Sequence, residues 1–351
     1  MKQEAAANLI YACRRLIAET VAKQHFKQHP ELATCYGDGG WEKCIQDTEY
    51  HCMHLAEAVR FDEEVLFHDS IAWAKVFLAS RGVKEDDLRD NLDGLLTALR
   101  EAVPGESQET AAACIAGAIR ELPRMPNTIG PFVEPDAPLG ELAGRYLALL
   151  LANNRRKATE LILKEVAEGV PMPDIFNHVF APCLKEVGRL WQINKINEAQ
   201  EHFCSEATQA ILAMLSTHFE PSQPRRTVLG FCVAGERHTL GIRMVLDSFE
   251  LNGWDAVCLG ADVPTDNLPS ALLAYDPKVV LISATMIYHL SEVRKAIAVI
   301  RNSSPGIMPL ILAGGHPFEL SPRLWRKVGA DAPPGDYTTI NQLAQDIRPA
   351  A

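Results

Sequence analysis

The chain has 351 residues, which is enough for two or three domains of roughly 100–150 residues each. Hydrophobic residues make up 47% of it and charged residues 23%, so it can bury a core and is not a disordered chain. The 34 basic and 45 acidic residues give a formal net charge of −11, and the tight basic clusters at 155–157 and 225–226 are short. This balance argues against general binding to a nucleic-acid backbone.

Targeting signals and metal-binding cysteine pairs are missing from the sequence. The N-terminus lacks the basic-then-apolar layout of a secretory signal, and the most apolar stretch, 146–152, is far shorter than the roughly 20 residues of a membrane span. We therefore expect a soluble, cytoplasmic protein without a membrane partner. The nine cysteines form no CxxC pair, and we interpret most of them, Cys35 included, as small core residues.

Residues 1–122 are predicted to form an N-terminal helical domain. Between Asp62 and Ser80 the apolar residues recur at close to helical spacing, and Arg81-Gly82 supplies a stop. Residues 123–138 hold five prolines, each of which lacks an N–H donor and clashes with the preceding helical turn. This segment is predicted to be a linker.

Residues 139–220 are predicted to form a four-helix bundle. The helical pattern runs over about 139–152, 155–168, 173–190 and 197–217, with short breaks that favour antiparallel neighbours. In the last of these segments one apolar stripe is predicted, formed by Phe203, Ala207, Ile211 and Met214.

Residues 225–350 are predicted to form a doubly wound α/β domain. Short apolar runs at 227–233, 256–259, 279–283 and 309–313 alternate with helical segments at about 240–252, 265–274, 290–303 and 319–328. Continuous apolar strands that alternate with helices indicate a parallel, Rossmann-like sheet buried on both faces. The fold class is therefore multidomain α and α/β, and a ligand is expected at the carboxyl ends of the strands.

Chemistry-bearing residues follow three of these strands. Glu236 and His238 are close enough in sequence for the carboxylate to accept one ring N–H and raise the basicity of the other nitrogen, as beside a metal-ligating histidine. The remaining candidates are two hydroxyl residues and three glycines that leave room for a ligand: Ser283, Thr285, Gly241, Gly314 and Gly315.

Together these residues resemble the cobalamin-binding domain, whose signature is an acidic residue, x, His, x, x, Gly, later Ser-x-Leu or Ser-x-Thr, and later Gly-Gly. The resemblance covers about residues 226–347 and implies that His238 is the lower axial cobalt ligand. It also implies that the displaced nucleotide tail enters a slot lined by Ser283, Thr285, Gly314 and Gly315. Glu236 stands where this family usually has Asp; the longer acid is typical of its light-sensing branch.

The bundle extends the resemblance to CarH-like cobalamin photoreceptors. Trp191, nine intervening residues and Glu201-His202 match the motif of the cap over the upper cobalt face in that family. Trp191 would pack against a 5′-deoxyadenosyl group, and Glu201 and His202 would hydrogen-bond to it. Without the cobalamin signature, these residues would be a core Trp and a solvated pair.

Two departures from that family matter. Gln192 stands where those proteins have the histidine that captures cobalt after photolysis, so the ligand that replaces the adenosyl group is left open. In place of their DNA-binding domain, residues 1–122 are acidic and lack a basic recognition helix, so we expect no direct DNA binding.

Residues 1–122 contain a cluster of histidines among aromatic residues: His51, His54 and His68. Histidines three apart on a helix share a face, and imidazoles beside an apolar wall suit a planar tetrapyrrole. The layout resembles photocobilins, which implies biliverdin as a second chromophore. An ordinary helical scaffold with partly buried histidines is the alternative.

The leading prediction is a light sensor, not an enzyme, that binds adenosylcobalamin and signals to an unidentified protein effector. Light would break the Co–C bond and change the domain packing or the oligomeric state of a homo-oligomer. The alternatives are a corrinoid carrier in methyl transfer and a light-independent cobalamin-sensing regulator. A mutase is disfavoured, because no 250-residue β/α region precedes the bundle.

Overall fold

The computed structural model describes residues 2–29, 39–103, 106–219, 226–303 and 308–332, together with 339 and 342. The chain divides into two compact units, Met1–Ile129 and Gly130–Ala351, which are treated separately below. Cys35 and the predicted domain boundaries at 220, 225 and 350 lie outside the described residues.

In its described residues the first unit consists of helices. They are α1 (Lys2–Gln28), α2 (Gly40–Phe61), α3 (Glu64–Ala79), α4 (Glu85–Ala102) and α5 (Glu106–Glu121), followed by a 3₁₀ turn at Leu122–Arg124. Helix α4 shows why they form. Glu85, Asp86 and Asp87 lie at its positive N-terminal end, and its buried face repeats at helical spacing through Leu88, Leu92, Leu95 and Leu99.

A buried lysine ties the end of this unit to its middle. Lys75 Nζ on α3 donates hydrogen bonds of 2.8 Å to the carbonyl oxygens of Leu122 and Met125 and lies 2.9 Å from a carboxylate oxygen of Glu85. The ammonium group is therefore satisfied by the turn that follows α5 and by the first residue of α4, as a buried charge requires.

The second unit begins with a helical bundle. Its helices are α6 (Gly140–Leu151), α7 (Arg155–Ala167), α8 (Met172–Ile175), α9 (Ala181–Gln192) and α10 (Glu198–Leu215), and a π-helical turn at Phe176–Phe180 joins α8 to α9. The α8–α9 segment corresponds to the third predicted helix, which gives the four predicted helical segments. Asn154 and Asn197 cap the starts of α7 and α10.

The bundle core corrects one detail of the predicted stripe on α10. Ala207 and Ile211 are buried and Phe203 packs against the core, but the side chain of Met214 is 44% exposed. Leu215 occupies the buried position instead. The buried stripe thus ends at residue 215 and not at the predicted 214. With 3.6 residues per turn, residues 207, 211 and 215 lie close to one face of the helix.

The second half of the proline-rich segment is built into this unit. The N–H of Phe132 donates to a carboxylate oxygen of Glu186 at 2.9 Å, and Arg189 completes the ion pair with that buried carboxylate at 2.7 Å. Gly140 passes so close to the carbonyl oxygens of Glu134 and Pro135 that a Cβ would collide with them. The division between the units falls inside the predicted linker, and residues 130–138 pack on the bundle.

The rest of the unit is a parallel sheet with helices, and the predicted fold class is confirmed. The strands are β1 (Thr227–Val233), β2 (Asp255–Val263), β3 (Val279–Ser283) and β4 (Leu310–Gly314), in the order β2-β1-β3-β4. The helices are α11 (Leu240–Leu251), α12 (Leu268–Tyr275), α13 (Leu290–Ser303), α14 (His316–Leu320) and α15 (Leu324–Val328). Strand β2 is longer than predicted, and the helix predicted at 319–328 is broken into α14 and α15.

Helix α11 joins the sheet to the bundle. One face, with Ile242, Leu246 and Phe249, packs in the core beneath the sheet. The other carries Met244, which is buried in the bundle core. The bundle therefore lies against the helix that directly follows β1. Among the described residues, no helix is long and apolar enough to cross a membrane.

Candidate functional site

The ends of three neighbouring strands lie side by side. Cys232 on β1 pairs with Ser283 on β3, and Ser283 pairs with Gly314 on β4. Because the strands are parallel, the segments that follow them leave the same edge of the sheet. The sequence motifs at 234–241, 283–285 and 314–315 therefore meet there.

Glu236 organises this edge. Its side chain is fully buried, and its two oxygens accept six hydrogen bonds. Oε1 accepts from the backbone N–H groups of Arg237 and His238 and lies 2.5 Å from His238 Nδ1. Oε2 accepts from the N–H groups of Thr285 and Met286, at 2.7 and 2.9 Å. One carboxylate thus joins the loop after β1 to the loop after β3.

The sixth partner of Glu236 is a residue that the sequence analysis missed. Nδ1 of His289, in the 3₁₀ turn Ile287–His289, lies 3.2 Å from Glu236 Oε2, and its side chain is mostly buried. His289 is 53 residues from Glu236 in the chain. No short-range spacing could have indicated the contact; only its position six residues after Ser283, beyond a predicted strand end, hinted at it.

The charges at this edge favour an ionised carboxylate and a directed imidazole. Hydrogen bonds from His238 and His289 hold the pKa of Glu236 well below its ordinary value although the group is buried. The hydrogen bond with Glu236 raises the pKa of His238. With Nδ1 held by the carboxylate, Nε2 makes no hydrogen bond to any described residue, and the imidazole is 59% exposed. This is the orientation of a histidine that binds a metal through Nε2.

Two glycines at the site, Gly315 and Gly241, have different surroundings. Gly315 has φ +114°, and a Cβ there would collide with the carbonyl oxygen of Ala284. Only glycine allows the backbone after β4 to approach the backbone after β3 so closely. Gly241, in the first turn of α11, faces open space instead: no neighbouring residue lies within 4 Å of the position that a Cβ would occupy.

Among the predicted cap residues, the structure brings Glu201 towards His238. The negative charge of Glu201, in the first turn of α10, contributes to raising the pKa of His238. Glu201 also accepts from Ser205 Oγ at 2.7 Å and lies 2.6 Å from Nδ1 of His202, whose side chain is largely exposed. Trp191 is half-buried near the end of α9.

Gln192, the departure noted in the sequence, is buried with 3% of its surface exposed. Trp191 and Gln192 are consecutive residues of one helix, so their side chains point in directions about 100° apart. The residue that replaces the family's capturing histidine therefore faces the interior of the unit.

The three histidines of the first unit differ in their local surroundings. His51 on α2 is buried, and burial lowers its pKa to about 3. Nδ1 of His54 lies 2.8 Å from the carbonyl oxygen of Tyr50, within the same helix. His68 on α3 instead contacts α5, with Nε2 3.3 Å from the carbonyl oxygen of Cys114. Among the described residues, no group of three or more His, Cys, Asp and Glu side chains is placed to hold a metal ion.

The cysteines follow the expectation for small core residues. Of the eight that the structure describes, five are buried: Cys52, Cys114, Cys183, Cys204 and Cys232. Burial raises the pKa of each of these thiols.

Two family profiles match the second unit. Both are described as a B12 binding domain; one covers residues 142–216 and the other residues 226–341. The first match coincides with the bundle, and the second with the sheet and the edge built around Glu236. The matches support a cobalamin-binding protein whose cofactor is a cobalamin or another corrinoid.

Two curated relatives lie in different functional classes. The chain is 28% identical over 153 residues to the HTH-type transcriptional repressor CarH of Myxococcus xanthus, which covers 44% of this chain and 51% of the repressor. The chain thus spans about half the length of that relative. It is 23% identical over 213 residues to monomethylamine corrinoid protein 2 of Methanosarcina acetivorans, which covers 59% of this chain and 97% of that protein.

A solved structure shares the fold of the second unit. The monomethylamine corrinoid protein of Methanosarcina barkeri aligns over its whole length and 60% of this chain, with a TM-score of 0.51 and 22% identity. At that identity the likeness shows the fold alone.

The residues at the strand edge fit a cobalamin. His238 directs Nε2 outwards, and a saturated, ionised Glu236 holds Nδ1. Gly241, at the start of α11, has open space beside it. When bound, the cofactor would supply a cobalt centre that an imidazole nitrogen such as His238 Nε2 can bind.

Proposed function

We propose that this chain is a light sensor that holds adenosylcobalamin between the bundle and the α/β part of its second unit. His238 would hold the cobalt, and Trp191, Glu201 and His202 would contact the adenosyl group. The observation that carries the proposal is the Glu236–His238 pair: the buried carboxylate holds Nδ1 of His238 at 2.5 Å, and the imidazole is 59% exposed, with Nε2 left to bind cobalt. The spacing of Trp191 and Glu201-His202, which resembles the cap motif of CarH-like photoreceptors, favours light sensing.

The cofactor supplies a cobalt–carbon bond that visible light can break. The protein has to favour one packing with the adenosyl group present and another without it, since a ligand shifts a conformational equilibrium only by its different affinity for the two states. Trp191 provides a flat apolar face, and the Glu201–His202 pair provides polar atoms for a ribose or base. Without the adenosyl group these side chains would lack those contacts, and the packing of the bundle on α11 would be weaker.

The output that we propose is a change in domain arrangement or oligomeric state, transmitted to a protein effector. The acidic balance of the chain, with a formal net charge of −11, favours a protein partner over DNA. No reacting substrate enters this scheme, so the chain acts as a sensor rather than an enzyme.

The test is reconstitution of the full-length chain with adenosylcobalamin in the dark. We expect an alkylcobalamin absorption spectrum that changes irreversibly under green light, together with a change in elution volume on size-exclusion chromatography. Glu201→Gln removes the charge opposite His238 and is the variant for comparison. A dark spectrum that is unchanged after illumination would refute the light-sensing function.

A second candidate is a corrinoid carrier in methyl transfer. It is favoured by the alignment with a monomethylamine corrinoid protein over 97% of that protein's length and by the absence of a capturing histidine at Gln192. A carrier would bind methylcobalamin more tightly than adenosylcobalamin and lose the methyl group to a partner methyltransferase. A light-independent cobalamin-sensing regulator is distinguished by partner binding that depends on cobalamin but not on illumination.

We further propose that the first unit holds biliverdin or a related tetrapyrrole. The α3 helix supports this by presenting Trp73 stacked on Phe77 at a centroid distance of 5.1 Å, with the guanidinium of Arg81 above the Phe77 ring. His54 is the histidine of this unit best suited to such a ligand, because His51 is buried and His68 contacts α5. A far-red absorption band in protein produced with biliverdin is the expected result, and its absence would refute a second chromophore.

A further inference from the structure

The C-terminal end of β2 departs from regular pairing beside the candidate site. Thr227 pairs with Asp255 at the start of the β1–β2 ladder, an offset of 28 residues, and Val233 pairs with Val263 at its end, an offset of 30. Strand β2 therefore contains two extra residues. Two of its residues have left-handed backbone angles, Gly260 at φ +82° and Asp262 at φ +50°.

This irregularity brings Asp262 against the loop that carries His238. The N–H of Gly235 donates to Asp262 Oδ1 at 2.6 Å, and the N–H of Asp262 donates to the carbonyl oxygen of Glu236 at 2.9 Å. One residue of β2 thus holds two consecutive residues of the loop, through its side chain and through its backbone. Gly235 is itself left-handed, with φ +83°.

Gly235 has no side chain that could pack and fix the backbone at this position. A Cβ there would lie 2.8 Å from Nε2 of His289, so the position requires glycine, the residue with the greatest backbone freedom. The Glu236 carboxylate is already held by the N–H groups of Thr285 and Met286, so the part of the loop that needs a further restraint is the backbone at Gly235, a flexible, left-handed residue. The hydrogen bond from the Gly235 N–H to Asp262 supplies that restraint.

We propose that Asp262 is a positioning residue for the cobalt ligand. It fixes the Gly235–Glu236 peptide so that Glu236 already directs His238 Nε2 towards the cobalt position before the cofactor binds. The inference rests on the proposed role of His238 as the cobalt ligand and goes beyond it, because Asp262 acts on the backbone of Gly235 and Glu236 and not on the imidazole. Strained backbone in β2 is retained because it delivers this contact.

The test compares Asp262→Asn with Asp262→Gly in the full-length chain. Both residues accept a left-handed backbone, but only Asn keeps an oxygen that can accept from Gly235. Asp276→Gly is the matched control, since Asp276 is also left-handed, at φ 38°, and among the described residues its side chain pairs with the exposed Lys278. Thermal unfolding of the apo chains checks that all three variants fold.

The readouts are the dissociation constant of hydroxocobalamin and the electron paramagnetic resonance spectrum of the reduced, cobalt(II) complex. The protein is labelled with ¹⁵N-histidine, so a protein imidazole splits each cobalt line into two, whereas the cofactor's own ¹⁴N base splits it into three. We expect doublets for the wild type, Asp262→Asn and Asp276→Gly. For Asp262→Gly we expect about tenfold weaker binding or more, as for loss of a hydrogen bond to a charged group, and an added triplet signal.

The outcomes separate the two proposals. A doublet and an unchanged dissociation constant in Asp262→Gly would overturn the positioning role while leaving His238 as the ligand. A triplet in the wild type would overturn the ligand assignment itself, and the positioning role with it. Equal weakening in Asp262→Asn and Asp262→Gly would also count against positioning, because only one of these variants loses the acceptor.

Discussion

Replacing Glu236 by Gln tests whether this one carboxylate holds the candidate site together. The substitution keeps the size of the side chain and turns one acceptor oxygen into an NH₂ group. On the Oε1 side that group would face the N–H groups of Arg237 and His238; on the Oε2 side it would face those of Thr285 and Met286. Whichever way the amide turns, two backbone donors lose their acceptor.

An unsatisfied buried donor costs about 1–3 kcal/mol, so we expect Glu236→Gln to lower the free energy of unfolding of the α/β part by about 2–6 kcal/mol. The pKa of Glu236 lies below its ordinary value of 4.5, so the carboxylate stabilises the fold above that pH. This stabilisation is lost as the pH falls from about 4.5 through the lower folded-state pKa. The hydrogen bond with Glu236 also raises the pKa of His238, so the difference between wild type and variant should be largest at about pH 5–6 and should decline as the pH rises from about 6.5 through the raised pKa of His238.

Hydrogen exchange followed by mass spectrometry measures this loss where it should occur, in the amides of β3 and of the loop after it. The control is Glu292→Gln, which removes a surface ion pair with Lys295 at 3.6 Å and should cost less than about 1 kcal/mol. Protection of the β3 amides in Glu236→Gln equal to that in Glu292→Gln would show that the carboxylate is not needed to join the two loops. Cobalamin binding should be lost with the protection.

Three further substitutions test the stability of the second unit and its binding of cobalamin. Burial raises the pKa of Asp247 to about 7, so ionisation of this carboxyl group destabilises the fold as the pH rises from about 4 to about 7. Asp247→Asn should remove this pH dependence and raise the melting temperature at about pH 8. Equal melting temperatures of wild type and variant at that pH would contradict the prediction. Gly315→Ala should lower stability by about 1–3 kcal/mol in urea denaturation, whereas Gly241→Ala, in open space on a helix, should fold with unchanged or higher stability. Trp191→Ala should weaken the binding of adenosylcobalamin by about tenfold or more relative to the binding of hydroxocobalamin, as measured by equilibrium dialysis. Equal losses of affinity for the two cobalamins would argue against the cap role.

Local patterns determined the elements of the second unit and the residue types at its site. Continuous apolar runs such as 227–233 and 279–283 that alternate with helical segments favour a parallel sheet buried on both faces, so both strands and the doubly wound class were predictable. The Glu236–His238 contact was predictable too, because two residues that are two apart in a loop after a strand need no distant segment to meet.

Tertiary structure decided every contact that joins distant segments. His289 reaches Glu236 because β1 and β3 are neighbours in the sheet, and Asp262 reaches Gly235 because β2 contains two extra residues. Asp247 is buried, a position at odds with its carboxylate. Periodicity in the sequence shows that a helix has an apolar face. It does not show which element covers that face or which strands are neighbours in the sheet, because both depend on how the elements pack and not on the spacing of residues within one element.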